Sequence, residues 1–142
     1  MERSSASIKN VGKRKLEFRK KLETRIDAFN KSKAGPTRWA PLDLEVKNAD
    51  GKWVGGLTGY SYLGWLYIDI LFIDNTYRGQ DIGTRLLQKA ESWAKKRGCR
   101  YAHLITFSFQ ALDFYRKLGY QLYGQAGPFS KGHLKYYLKK KL

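Results

Sequence analysis

Cysteine is almost missing from this chain. Cys99 stands alone, which excludes an internal disulfide and any cysteine-based zinc site, and makes a reducing cytoplasm the expected compartment. No run approaches the roughly 18 apolar residues that a membrane span needs, and the basic N-terminus lacks the apolar segment of a secretory signal. Acidic residues are scarce too: 12 Asp and Glu face 28 Lys and Arg, for a formal net charge of +16. There is no internal repeat. Two common nucleotide-binding loops are also missing, since there is neither a GxxxxGK[ST] nor a GxGxxG after the first strand with an acid about 20 positions on. No RNP-like, zinc-finger or helix-turn-helix pattern is found.

The chain does hold a strand, a turn and a helix in immediate succession. Leu66 to Ile73 (LYIDILFI) is rich in β-branched and aromatic residues and reads as a buried strand. An Arg-Gly turn follows. Then Ile82, Leu86, Leu87, Ala90, Trp93 and Ala94 recur at helical spacing, with Lys95, Lys96, Arg97 and Gly98 as a basic last turn and C′ glycine. Strand, turn and helix together make an anion site, because the first N–H groups of a helix lack partners and its dipole favours negative charge there.

Within this segment the pattern Arg78-x-x-x-x-Gly83 resembles the pyrophosphate loop of the GNAT N-acetyltransferase superfamily, [RQ]-x-x-G-x-[GA]. Downstream, Ala111-Leu112-Asp113-Phe114-Tyr115-Arg116-Lys117-Leu118-Gly119-Tyr120 is similar to the family's A-x-x-[LF]-Y-x-x-x-G-[FY] signature. The two matches come in the family's order and at about its separation. The resemblance covers roughly Leu57 to Leu142. It implies an α+β, GNAT-like acyl-CoA N-acyltransferase fold: a mixed, mostly antiparallel central sheet flanked by helices and splayed open to admit acetyl-CoA.

The remaining segments are consistent with that fold. Leu42 to Val46, Trp53 to Tyr62 and Leu66 to Ile73 read as an antiparallel meander with turns at Asn48 to Gly51 and near Gly64. Tyr101 to Thr106 is a strand, Phe109 to Leu118 a helix closed by Gly119, and Tyr120 to Gly124 a strand. In the last strand Leu134, Tyr136 and Leu138 alternate with Lys135, Tyr137 and Lys139, as a half-buried edge strand would. By length the chain is one domain over residues 13–142, preceded by a flexible segment, 1–12, without hydrophobic periodicity.

The charge is concentrated at the ends. Residues 1–33 hold eleven Lys or Arg against four acids, and residues 131–142 hold five Lys and no acid. Leu16, Leu22, Ile26 and Phe29 fall at helical intervals in residues 13–31, so that segment reads as a helix able to dock one face while its charged face stays in solvent. The excess charge is either a solvated surface or an attraction to a polyanion such as coenzyme A, an acidic protein or RNA.

The resemblance also implies site residues. The backbone N–H groups of Gly79, Gln80, Asp81, Ile82, Gly83 and Thr84, with the Arg78 guanidinium, form the phosphate cradle. The backbone of Leu71 and Ile73 offers the strand edge for the pantetheine arm, with Ser108 and Ala111 on the facing loop. Tyr115 holds the position of the acid that protonates the departing thiolate. Asp69 interrupts an apolar strand and is the candidate base for the acceptor ammonium, or else pairs with a neighbouring cation.

Two positions depart from the family pattern. Asp81 stands where the motif has its first glycine, and its carboxylate either caps the helix, blocking donors that should face the pyrophosphate, or points to solvent. Ser108 stands where many members have asparagine. The expected activity is direct transfer of acetyl from acetyl-CoA, the cofactor and co-substrate, to a primary amine of a small molecule or a protein, without a metal. Many relatives form homodimers, and the sequence marks no dimer face. The alternative is a CoA-fold domain disabled by Asp81 and kept as a basic nucleic-acid- or protein-binding module.

Overall fold

Strands and helices follow the apolar spacing of the sequence in the computed structural model, which describes residues 5–142. The described residues form two units, one ending at Thr37 and one spanning Arg38–Leu142. Of the expected N-terminal segment, residues 1–4 lie outside the described residues, and 5–12 contain no helix or strand.

The first unit is built on helix α1, Lys15–Ala34. It closes on Gly35, whose N–H reaches the Lys31 carbonyl. Asp27 bonds Lys31 one turn on (2.8 Å) and accepts from the Thr37 hydroxyl (2.9 Å), and these contacts hold its carboxyl below the ordinary carboxylate value. The helix forms where the spacing predicts it, but Leu16, Leu22, Ile26 and Phe29 are all exposed. Arg19, Lys20 and Glu23 occupy the positions that would complete an apolar stripe.

The second unit is a six-stranded sheet with two helices. Its strands are β1 (Ala40–Lys47), β2 (Trp53–Tyr62), β3 (Trp65–Ile73), β4 (Tyr101–Phe107), β5 (Gln121–Ala126) and β6 (Lys135–Lys141). Helix α2 (Ile82–Lys96) joins β3 to β4, and α3 (Leu112–Lys117) joins β4 to β5. The order across the sheet is β1-β2-β3-β4-β6-β5. Every neighbouring pair is antiparallel except β3–β4, and that parallel pair is the one whose connection is a helical crossover. The mixed, mostly antiparallel sheet is thus as expected. The Asn48 turn is fixed by its own side chain, whose Oδ1 accepts from the N–H groups of Asp50 and Lys52.

One face of the sheet makes the core. Leu66, Leu87, Leu104 and Leu138 are sealed from solvent, and Ala90 and Ala94 let α2 approach the strands closely. Each such leucine contributes about 2 kcal/mol of apolar burial. Beneath α2 a polar contact closes the core: Glu91 accepts from the Tyr120 hydroxyl (3.0 Å) and from Lys140 (3.0 Å). Burial and the Glu91 charge push the Tyr120 phenol well above its ordinary value.

The structure corrects the sequence reading at two elements. Helix α3 begins at Leu112 rather than Phe109, because residues 108–111 make a turn in which the Gln110 side chain accepts the Phe107 N–H. The last strand is not an edge: β6 lies between β4 and β5, and β5 is the edge. Its Lys135, Tyr137 and Lys139 face the side of the sheet opposite the core, so an interior strand shows the same half-polar alternation as an edge.

Candidate active site

The β3–β4 pairing is short. It runs from Trp65↔Tyr101 to Ile68↔Leu104 and stops, although both strands continue. Beyond that point each strand keeps its outer partner, β3 with β2 and β4 with β6, so the sheet opens like a V. A cleft of about 800 Å³ fills the opening, lined by Ile68–Ile73 of β3 and Leu104–Thr106 of β4. The expected strand edge lies here: Leu71 lines the cleft, as does Ile73, whose carbonyl accepts the Arg78 Nε–H at 3.0 Å. That bond anchors Arg78 across the mouth of the loop, its guanidinium 5.9 Å from the Phe72 ring centroid.

The loop and the first turn of α2 close one end of the cleft. Arg78, Gly79, Asp81, Ile82, Gly83 and Thr84 all line it, whereas Gln80 is exposed and does not. The first helical hydrogen bond is Arg85 N–H to the Asp81 carbonyl, and no side chain caps the helix. The N–H groups of Ile82, Gly83 and Thr84 are therefore left for a ligand, the arrangement that binds phosphate at a helix N-terminus. Gly83 is favoured by packing: a Cβ there would sit 3.1 Å from Cζ of Phe114 and push that ring by a few tenths of an ångström, so glycine lets α3 close over the start of α2.

Asp81 resolves the first departure from the motif. Its backbone is left-handed (φ 60°, ψ 14°), the conformation glycine adopts freely and aspartate tolerates better than most residues. The position demands a backbone shape, and Asp81 supplies it. Its exposed carboxylate makes no cap bond and occupies none of the helix donors.

Asp69 sits at a β-bulge. Thr58 pairs with Ile70 and Gly59 with Ile68, which leaves Asp69 as the extra residue in β3. The bulge falls where the strands part, and Asp69 lines the cleft. Among the described residues no hydrogen bond or ion pair holds its carboxylate, so the expected alternative of a neighbouring cation is not seen. Partial desolvation raises its pKa above the ordinary carboxylate value, and the Asp69 charge in turn raises Tyr60, after that phenol's own desolvation.

Tyr115 lines the same cleft from α3, buried at 8% exposure and packed edge-on against Phe114 and Tyr120. Burial pushes its phenol up, which keeps it protonated at neutral pH. Ala111 also lines the cleft. Ser108 does not: its hydroxyl meets His133 Nδ1 at 3.1 Å and accepts the Leu134 N–H at 3.0 Å, tying the β4–α3 turn to the β5–β6 loop. Gln110, which the sequence reading passed over, lines the cleft in its stead. His103 is a half-buried strand residue; its Nε2 lies 2.6 Å from the Tyr123 hydroxyl, and desolvation lowers its pKa.

Among the described residues no cluster of His, Cys, Asp and Glu could hold a metal ion, and no helix is long and apolar enough to cross a membrane.

An open V between parallel strands, an uncapped helix N-terminus at one end and a titratable pair along its walls suit a long ligand with an anionic end. Comparison with known proteins supplies the family. The family model described as the acetyltransferase (GNAT) family matches residues 13–120. An acetyltransferase of Agrobacterium fabrum is 35% identical over 125 residues, covering 88% of this chain and 91% of its own. The blasticidin-S acetyltransferase of Streptomyces morookaense is 36% identical over 93 residues, 65% of this chain and 68% of its own. The crystal structure of an acetyltransferase from Bacillus cereus superposes with a TM-score of 0.81 at 35% identity, covering 96% of this chain and 98% of that one. The chain belongs to the GNAT acetyltransferase family.

Proposed function

We propose that this enzyme, an acetyl-CoA-dependent N-acetyltransferase, transfers acetyl directly to the primary amine of a small molecule, with Asp69 as base and Tyr115 as acid. The reading rests on one observation: both residues line the cleft where β3 and β4 part, downstream of an uncapped helix N-terminus. The pyrophosphate of acetyl-CoA lies against the N–H groups of Ile82 to Thr84 with Arg78 as counter-charge, and the pantetheine arm follows the freed edge of β3. Asp69 takes a proton from the acceptor ammonium. The neutral amine attacks the thioester carbonyl, a C–N bond forms, the C–S bond breaks, the departing thiolate takes the Tyr115 proton, and the excess proton left on the attacking nitrogen passes to solvent to give the neutral amide. The phenolate is reprotonated from solvent.

A small acceptor is supported by the relative that acetylates blasticidin S. No observation favours the binding-module alternative, because Asp81 leaves the helix donors free.

The test is Tyr115→Phe, assayed by release of free coenzyme A thiol and by thermal shift with acetyl-CoA. The Tyr115 hydroxyl makes no hydrogen bond to a described residue, so Tm and the acetyl-CoA shift should hold while kcat falls about 100-fold, the low end for a lost general acid. An unchanged kcat would remove Tyr115 from the chemistry.

A further inference from the structure

A second hollow, about 500 Å³ in volume, opens beside the cleft. Three phenyl rings and an imidazole form it. Phe107 stacks on Phe109 (centroids 5.3 Å apart, planes 11° from parallel), Phe129 stands edge-on to Phe107 at 5.4 Å, and His133 stands edge-on to Phe109 at 4.8 Å. The walls come from two loops held together by Ser108 through its bonds to His133 and Leu134, and the β5–β6 loop is closed on itself by the Phe129 N–H to the His133 carbonyl. The hollow is therefore built before anything enters it.

Phe109 lines both this hollow and the cleft, so the two are adjacent. They also share a face. Along β4, Ala102, Leu104 and Thr106 point to the core, and His103, Ile105 and Phe107 point the other way. Between the point where the strands part and the hollow, the surface is apolar yet uncovered: Ile70 is 62% exposed, Ile105 42%, Phe109 60% and Phe129 40%. Large apolar groups left open together beside a reaction cleft mark a ligand surface.

Charge narrows the ligand. Lys135 Nζ lies 5.5 Å from the Phe107 centroid and 5.4 Å from that of Phe129, so a cation already uses the faces of both rings. Lys131 lines the hollow, and no acid does. A cationic group is repelled there, whereas a planar ring without positive charge can stack. The unpaired carboxylate is Asp69, at the other end of this surface. We propose that the hollow is the acceptor subsite and takes an uncharged aromatic or heteroaromatic ring whose chain carries the amine back to Asp69. This rests on the acetyl-transfer reading above.

The test uses the full chain saturated with acetyl-CoA and three amines: tryptamine, 2-cyclohexylethylamine and spermidine. Thiol release gives kcat/KM, saturation-transfer NMR reports which ligand protons contact protein, and thermal shift reports acetyl-CoA binding. The subsite predicts that tryptamine exceeds both others by about tenfold in kcat/KM, the size of a good aromatic pair, with its indole protons in contact. Phe129→Ala should raise KM for tryptamine about as much while preserving the acetyl-CoA shift, and Phe129→Tyr should restore it. Should Phe129→Ala fail to fold, the amine ranking and the NMR contacts of the wild-type chain decide. If spermidine or the saturated ring matches tryptamine, or the indole makes no contact, while acetyl-CoA still stabilises the chain, the subsite is wrong and the acetyl-transfer reading stands. If acetyl-CoA gives neither shift nor turnover with any amine, that reading fails first and the subsite with it.

Discussion

Replacing Asp81 tests the phosphate loop directly, because two substitutions separate charge from backbone shape. Asp81→Asn removes the carboxylate and keeps a side chain that tolerates the left-handed region. Asp81→Gly removes both the charge and the steric cost of φ 60°. Two like unit charges roughly 6 Å apart repel by about 0.7 kcal/mol in bulk water and about 2.8 kcal/mol at an effective dielectric of about 20. Asp81 is exposed and open to salt, so its effect on a bound pyrophosphate belongs near the lower value, about 1 kcal/mol, or about fivefold in Kd.

Both variants should then bind acetyl-CoA about fivefold more tightly at low salt, by calorimetric titration, and the gain should shrink as salt screens it. Stability separates the two only slightly. Loss of the carboxylate at the helix N-terminus costs each about 0.5 kcal/mol, and in the glycine variant relief of the left-handed strain is offset by about 0.5–1 kcal/mol of added chain entropy in the unfolded state. Weaker binding by Asp81→Asn would refute the reasoning, since it would mean that the carboxylate organises the loop it was expected only to repel from.

Three other predictions follow from the titratable groups and the buried pair. Because desolvation raises Asp69, kcat/KM should rise with pH through a limb above the ordinary carboxylate range, and Asp69→Asn should lower it about 100-fold and abolish that limb; a limb that survives in the variant belongs to another group. Desolvation holds the His103 imidazole below its ordinary value of 6.5, so the unfolded chain takes up the proton first: stability is full above about pH 6.5 and declines as pH falls toward the folded-state pKa, and His103→Gln should flatten that decline in urea titrations. Glu91→Gln leaves Lys140 and the Tyr120 hydroxyl without their anion and should cost about 2 kcal/mol, discounted because Lys140 is a quarter exposed, read as a lower urea midpoint at constant slope.

What the sequence made legible was local. The strand Leu66 to Ile73, the Arg-Gly turn and the amphipathic helix from Ile82 are encoded by neighbours in sequence, and the structure places them where the spacing predicts. The same holds for the Asn48 turn, whose side chain makes its own hydrogen bonds. What stayed hidden depends on pairing between distant segments. The bulge that singles out Asp69 exists only because Gly59 and Thr58 skip it, and no feature of LYIDILFI announces that. The insertion of β6 between β4 and β5 could not be read from alternation, because the sheet has one open face and interior and edge strands look alike along it. The aromatic hollow joins Phe107 and Phe109 to Phe129 and His133 across two loops, and only the near-repeat Phe107-Ser108-Phe109 hinted at it.

The two departures from the family pattern have a common lesson about what a motif position specifies. At Asp81 the pattern's glycine stands for a backbone conformation, and an aspartate that adopts φ 60° satisfies it while leaving its carboxylate in solvent. At Ser108 the pattern's asparagine is replaced by a shorter side chain that does not line the cleft. Its hydroxyl is spent on His133 and Leu134, and Gln110 lines the cleft instead. The first substitution leaves the helix donors open, as the proposed phosphate site requires. The second sets a polar group in the tie between the two loops that shape the aromatic hollow, on the side proposed for the acceptor. A loop held this way fits an enzyme whose phosphate loop follows its family and whose selectivity lies in residues that the family pattern does not specify.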